Sequence, residues 1–171
     1  MIINIIVSAS ENWVIGKDNK LLWKLNDDMI RFKDLTTGKA IIMGQKTFKS
    51  LPKGALPNRT NIVLTKNKNF KAKNVLLANN IDEALNIAKS EYGDDSEVFI
   101  IGGSTIYNQF LHLANYIYFT LVHVNIEGDT TFPKIDNINW ELVYTEFRYS
   151  DEKNEYDHTY KIYKNKNKLN E

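Results

Sequence analysis

The chain has no cysteine in its 171 residues. That absence excludes a disulfide scaffold, a thiolate zinc site, an iron–sulfur cluster and a cysteine nucleophile. It also lacks a charge surplus, with 22 lysines and arginines against 21 aspartates and glutamates. A nucleic-acid-binding domain normally carries a basic excess, so nucleic acid is not an expected partner. Arginine is scarce. Only Arg31, Arg59 and Arg148 occur, and any site that needs a rigid planar cation must draw on these three. The three histidines, His112, His123 and His158, are widely spaced and lack ligand-like companions. Neither a metal site nor a Ser-His-Asp arrangement is expected from them. No hydrophobic run is long enough to span a bilayer. Met1–Val7 is apolar but short, is interrupted by Asn4, and has no basic flank or cleavage signal. It reads as a buried strand and not as a targeting segment, so a cytoplasmic protein without a membrane partner is expected. No internal repeat, no linker rich in Pro, Gly or Ser and no long apolar surface patch is visible, which points to a monomer of one domain.

Hydrophobic residues make up 43% and charged residues 25%, the mixture of an ordinary globular domain. At this length folding buries roughly 70% of the unfolded surface, enough for a core without staples. The runs Ile2–Val7, Ala40–Met43, Asn61–Thr65, Val75–Leu77, Val98–Ile101 and Tyr116–Val124 are continuously apolar and β-branched. Such runs suit strands covered on both faces, as in a parallel sheet flanked by helices. Helical patterns lie between them. Asn26 is expected to cap a helix that starts at Asp27-Asp28 and stops before Gly38. Ile81–Tyr92, stopped by Gly93, Ser104–Leu113 and the short Gly44–Ser50 complete four helices. Trp140–Tyr149 and Thr159–Tyr163 flank polar Ser150–Asp157 and read as an antiparallel pair with a long turn. The fold class is α/β. Residues 1–164 are expected to form the domain and 165–171 a polar tail, with fraying from about Tyr163.

Several residues stand out chemically. Trp13–Trp23 is a long connection whose Trp13, Leu21, Leu22 and Trp23 are too apolar for free solvent, so it reads as a packed loop that covers something. Asp28 shares a helix face with Phe32, four residues on, and Leu35 continues the apolar stripe. It either favours the helix N-terminus, as Asp27 does, or is a semi-buried carboxylate that pairs with an amidine-like ligand group. Gly102-Gly103 follows a strand and precedes a helix, a place where backbone N–H groups can meet a phosphate. It is not the GxGxxG fingerprint, and a tight turn uses Gly-Gly too. Gly44-Gln45-Lys46-Thr47 repeats the arrangement, and two such places on one sheet would suit a dinucleotide. Arg59 follows the Pro57 turn, where it is either solvated or a bidentate carboxylate clamp.

Seven segments in register resemble dihydrofolate reductase over Met1 to about Tyr163. They are Trp13–Asn19, Leu22-Trp23, Asp28–Phe32, Ile42–Phe48, Ala55–Arg59, Ile101–Tyr107 and Glu127–Pro133. The resemblance implies one domain with an eight-stranded sheet, mostly parallel with an antiparallel last strand, flanked by about four helices. It implies NADPH-dependent reduction of dihydrofolate, with antifolates as inhibitors. It implies roles as well. Asp28 would hold the pterin's ring nitrogen and exocyclic amine, Thr120 would hydrogen-bond Asp28, and Trp23 would help hold a water. Ile6, Val7, Met29, Phe32, Leu51, Leu56 and Ile101 would line the substrate pocket, and Arg59 would clamp the glutamate α-carboxylate. NADPH would lie along Gly44, Gln45, Lys46, Thr47, Leu64, Thr65, Lys66, Ile101, Gly102, Gly103, Ser104, Thr105, Ile106, Tyr107 and Thr130. Ser8, Ile15, Gly16 and Asn19 would flank its nicotinamide. Gly128 and Asp129 match the loop that braces the lid.

This sequence departs from the family pattern at four places. Leu22 and Asn26 replace frequent prolines, Asn58 replaces a glycine, and Gln45 stands where an arginine usually meets the cofactor's 2′-phosphate. Lys46 and Lys66 are the candidates to supply that charge. Two rival readings are a pyrimidine reductase of the same fold and a non-catalytic nucleotide-binding module. The first has no use for Arg59, the second none for Asp28.

Overall fold

The computed structural model describes residues 1–168. The apolar runs become strands β1 (Ile2–Ser10), β3 (Ala40–Gly44), β4 (Thr60–Leu64), β5 (Val75–Ala78), β6 (Glu97–Gly102) and β7 (Tyr116–Val122). With β9 (Trp140–Arg148) and β10 (His158–Asn165) they form an eight-stranded sheet in the order β5-β4-β3-β6-β1-β7-β10-β9. β10 alone runs antiparallel to its neighbours, as expected. Two further strands, β2 (Val14–Gly16) and β8 (Thr130–Thr131), pair separately.

The sheet's two faces explain why the strands are not alternating in hydrophobicity. Ile3, Ile5, Val7, Ala40 and Ile42 face one core, and Ile6, Ile41 and Met43 face another. Helices α3 (Ile81–Tyr92) and α4 (Ser104–Phe110) cover the first face through Ala84, Ala88, Ile106 and Phe110. Helices α1 (Asn26–Thr36) and α2 (Gln45–Ser50) cover the second through Phe32, Leu35 and Phe48. Strands buried on both faces need apolar residues at every position.

Local chemistry sets the helix ends. Asn80 Oδ1 accepts from the Glu83 N–H at 2.8 Å, and Glu83 Oε2 accepts from the Asn79 N–H at 2.7 Å. That reciprocal cap starts α3, and Gly93 at φ +88° ends it. The expected cap of α1 is different from the one observed. Asn26 lies inside the first turn, Leu25 is the flanking residue, and the cap comes from far away: Asp27 N–H donates to Asn154 Oδ1 at 3.0 Å. Asn154 is buried, and Asp151 Oδ1 accepts from its Nδ2 at 2.9 Å. Helix α4 ends at Phe110, three residues before the expected end, and Leu113 turns back onto the Phe110 carbonyl.

The tail also differs from expectation. β10 continues through Asn165, which is buried and donates from Nδ2 to Ala114 O at 2.9 Å. Lys166 N–H then donates to Asn139 O at 2.8 Å. The chain is therefore pinned past Tyr163 because its asparagine side chains satisfy backbone groups; residues 169–171 lie outside the described residues.

Candidate active site

The parallel strands end together beside α1, α2 and α4, and the cleft opens there, where α/β sheets commonly hold ligands. Its first cavity has a volume of about 370 Å³. Ile6, Val7, Met29, Phe32, Leu51, Leu56 and Ile101 give it an apolar wall. Met29 is 59% exposed although apolar, because it looks into this opening and not into the core.

Asp28 is the charged group on that wall. α1 lies across the sheet and brings it against β7, where Thr120 Oγ1 donates to Asp28 Oδ1 at 2.6 Å. Thr120 is itself buried. Burial pushes the Asp28 carboxyl above the usual carboxylate range, while the Thr120 hydroxyl, then Arg31 and His158, pull it back. Trp23 is buried too, and its Nε1–H donates to Ser8 Oγ at 3.3 Å, next to Thr120 in the β1–β7 register. The Tyr107 hydroxyl donates to the Ile6 carbonyl at 2.8 Å, and burial pushes that phenol upward. Arg59 stands apart from the lining of this cavity. Its Nε donates to Pro57 O at 2.9 Å and its Nη1 to Thr36 Oγ1 at 3.1 Å, which fixes the plane of the fork. Partial burial lowers its pKa.

Three glycines make room where β3 and β6 end. A Cβ on Gly44 would meet Ile106 Cγ1 at 3.0 Å, one on Gly103 would meet Thr47 Oγ1 at 3.3 Å, and one on Gly102 would meet the Tyr107 hydroxyl at 3.2 Å. Gly102 also has φ +122°, which an L side chain resists. Gly102, Gly103 and Thr47 line the first cavity, together with Ser8, Ile15, Gly16, Asn19 and Thr130. On the far side of the Gly103–Ile106 segment lies a second cavity of about 760 Å³, lined by Leu64, Thr65, Lys66, Thr105 and Ile106. The two cavities flank the start of α4, with Gly102, Gly103 and Tyr107 lining the first and Thr105 and Ile106 the second. Gln45 accepts a hydrogen bond from the Thr65 hydroxyl at 2.9 Å.

The connection after β1 folds as a lid. β2 leads into a two-residue turn, with Asp18 at φ 52° and Asn19 at φ 59°, and Lys17 and Lys20 exchange backbone hydrogen bonds across it. That is the backbone twist of a tight hairpin. The lid is tied down from the 126–132 segment. Asp129 N–H donates to Gly16 O at 3.1 Å, Asp18 N–H donates to Asp129 Oδ2 at 2.9 Å, and Phe132 N–H donates to Trp13 O at 2.9 Å. The Asp18 amide is the main reason that the Asp129 carboxyl lies below its ordinary range. Asn19 Nδ2 donates to Lys46 O at 2.9 Å and ties the tip of the lid to α2.

Thus most residues expected at the site from sequence are gathered at one cleft. Thr120, Trp23 and Arg59 do not line it, nor do Gly44, Gln45 and Lys46 at the start of α2; Thr120 and Trp23 reach its wall through their hydrogen bonds to Asp28 and Ser8. Ser104 points its hydroxyl to Thr131 O at 3.0 Å. Sequence reasoning missed Lys20, Leu21, Ser50 and Pro52 in the first cavity, all neighbours of residues it did name. It also missed Asn79, Asn80, Ile81, Asp82, Gln109, His112 and Leu113 in the second. Gln109 and His112 follow Thr105 at four and seven residues, a helical spacing that would have found them. Among the described residues no cluster of His, Cys, Asp or Glu could hold a metal ion, and no helix is long and apolar enough to cross a membrane.

A cleft at the strand ends, a carboxylate on its wall, a loop braced over it and a second cavity nearby define the class: an α/β protein with a ligand-binding cleft at the ends of its parallel strands. The family model described as dihydrofolate reductase matches residues 2–165. A dihydrofolate reductase of Staphylococcus haemolyticus is 41% identical over 94% of both chains. One of Buchnera aphidicola subsp. Baizongia pistaciae is 42% identical over 96% of this chain and 98% of its own. A solved structure of Enterococcus faecalis dihydrofolate reductase, complexed with NADP(H) and RAB-propyl, superposes with a TM-score of 0.89 at 36% identity over 97% of both chains. The chain belongs to the dihydrofolate reductase family.

Proposed function

We propose that this chain reduces 7,8-dihydrofolate to 5,6,7,8-tetrahydrofolate with NADPH, and that Asp28 fixes and polarises the pterin. The observation that carries the reading is a single carboxylate on an apolar cavity wall, with Thr120 on one oxygen at 2.6 Å. A pterin presents a ring N–H beside an exocyclic amine, two parallel donors that match a carboxylate's two oxygens. Phe32, Met29 and Ile6 flank the ring, and Arg59, its fork already oriented, meets the carboxylate of the glutamate tail.

The residues around the two cavities fit a dinucleotide. Gly44, Gly102 and Gly103 let Ile106, Tyr107 and Thr47 pack close against the strand ends, and Gly102 and Gly103 expose backbone to the first cavity, where a dinucleotide can approach it. Thr47, Thr65, Lys66 and Thr105 supply hydroxyls and a cation along the way. When bound, NADPH supplies the hydride that adds to C6 of the pterin. The chain's own residues do the rest. Asp28 holds the ring in place and draws electron density toward the edge that it binds. N5 takes its proton from water held near Trp23 and Ser8, since no acidic side chain stands close to that atom in this reading. The lid residues Ile15, Gly16 and Asn19 exclude bulk water from the reacting face. The balance is one hydride and one proton added across the C6–N5 bond, with NADP⁺ released.

The test is dihydrofolate-dependent oxidation of NADPH, run beside NADH. Fast turnover with NADPH is expected. No turnover with either cofactor from folded protein would sink the proposal and move the search to pyrimidine substrates. The proposal includes a monomer at work in the cytoplasm, without nucleic acid or membrane; sedimentation at twice 19.8 kDa would remove the monomer.

A further inference from the structure

One arginine of the three lies beside the carboxylate without touching it. Arg31 is one helical turn after Asp28 on α1. Its guanidinium carbon sits 4.4 Å from the centre of the Tyr160 ring and 5.9 Å from that of Tyr118. Tyr160 is opposite Thr120 in the β7–β10 register, so their side chains share a sheet face. α1 therefore lays two groups against two neighbouring strands: Asp28 against the Thr120 hydroxyl, Arg31 against the Tyr160 ring. Among the described residues Arg31 makes no ion pair with Asp28. An arginine three residues after an aspartate on a helix can reach it, in a weakly stabilising pair. Here the aromatic ring holds the cation back, a contact that stacking and the ring's quadrupole favour.

We propose that Arg31 is a positioning residue for the reaction, seated on the Tyr160 ring so that its cation stays near Asp28 while the guanidinium occupies neither carboxylate oxygen ahead of the pterin. This deepens the proposed function and rests on Asp28 as the pterin's anchor. A salt bridge at this place would serve the first need and defeat the second.

Other titratable groups act on Asp28: Tyr107 from α4, and His158 and Tyr160 from β10. Asp27 neighbours it on α1 and acts on the Tyr160 ring, and Tyr118 of β7 lies beside Arg31. His158 is fully buried, with Nδ1 3.0 Å from Tyr156 O and Nε2 3.3 Å from the Tyr160 hydroxyl. Arg148 from β9 lies 5.9 Å from the Tyr160 ring and is paired with Glu146 at 2.9 Å. The seat is thus a braced ring with cations on α1 and β9. Burial and Asp28 push its phenol up to about 12, and it stays a neutral aromatic surface across the working pH range.

The experiment reads the ionisation of Asp28 in the ligand-free, full-length enzyme, by infrared difference spectra of protein labelled with carboxyl-¹³C aspartate, against Asp28→Asn. Arg31→Gln is expected to move the midpoint to higher pH, and Arg31→Lys to restore it toward wild type. Tyr160→Leu is expected to move it the other way, because the freed cation folds onto the carboxylate. The same variant should raise KM for dihydrofolate about tenfold with a smaller change in kcat. Tyr160→Phe keeps the ring and should hold the wild-type midpoint. An unchanged midpoint in Arg31→Gln, or an upward shift in Tyr160→Leu, overturns the proposal. The spectra need no turnover, so failure of the enzymatic reading and failure of this one are separable.

Discussion

Gly128→Ala is the substitution whose cost the structure defines best. A Cβ built on Gly128 would lie 2.3 Å from Val14 Cγ1 and 2.7 Å from the Gly16 carbonyl oxygen. Apolar carbons prefer about 3.5–4.0 Å, so more than an ångström must be recovered. Val14 is buried and β-branched, and its χ1 has little freedom to give. The Gly16 carbonyl is backbone and is already bonded to the Asp129 N–H. Overpacking of this kind costs about 1–3 kcal/mol. Each backbone hydrogen bond between lid and brace contributes roughly 0.5–1.5 kcal/mol net. The strain therefore equals one or two of those bonds, and the lid edge should yield before the core does. A global loss of about 1–2 kcal/mol is expected, seen as a fall in Tm of roughly 2–8 °C for a chain of this size. Locally the effect is larger. Protection of the Asp18 and Asp129 amides against hydrogen exchange should fall by about tenfold or more, while β1 and β6 keep theirs. Turnover should fall with it, because a loosened lid excludes water less well. Urea melts and exchange mass spectrometry measure both quantities. Unchanged exchange at Asp18 and Asp129 beside a large global loss would refute the reasoning, since the strain would then sit in the core around Val14.

Burial raises the Asp28 carboxyl above its value in the unfolded chain. The folded state therefore pays for ionising it as pH climbs from the unfolded to the folded pKa, and in full above both. Asp28→Asn should accordingly be more stable than wild type at neutral pH, lose that advantage near pH 3, and reduce dihydrofolate poorly; equal stability gains at both pH values in urea titrations would contradict this. Arg59→Lys keeps the charge but loses the fork set by Pro57 and Thr36. KM for dihydrofolate should rise about ten- to a hundredfold with kcat nearly unchanged, and a pterin without the glutamate should show no difference. Gln45→Arg adds a fork beside Lys66. The ratio of NADH to NADPH dissociation constants, measured by fluorescence titration, should grow about tenfold or more, and a constant ratio would place the 2′-phosphate elsewhere.

The large elements were legible because their causes are local. Ile2–Val7 and Val98–Ile101 carry the continuous apolar pattern that suits doubly covered strands, and Gly93 marks the end of α3 in the sequence itself. What was not legible depends on distant partners. Asn26 has the right chemistry for a cap, yet Asn154, 128 positions away, does the capping, and only the folded 151–154 turn puts it there. Asn165 in the tail looks like a solvent-loving residue until the Ala114 carbonyl offers its side chain a backbone partner. β2 and β8 are three and two residues long and carry no period that could reveal them. Asp28 had two readings from spacing alone, and spacing could not foresee the Thr120 hydroxyl that reaches it from another strand. The second cavity draws on the start of α3 as well as on α4, so half of its wall is non-local.

The bond from the Asn19 side chain to the Lys46 carbonyl makes the lid and the start of α2 one mechanical body. Coupling of that kind is reciprocal. Whatever steadies α2 from the nucleotide side favours the lid's present position, and the lid in that position favours the same ligand by an equal factor. Asn19→Ala would cut the link while leaving each half intact. The affinity of the nucleotide and the opening rate of the lid would then vary independently, and an enzyme whose two halves keep time with each other would become two that do not.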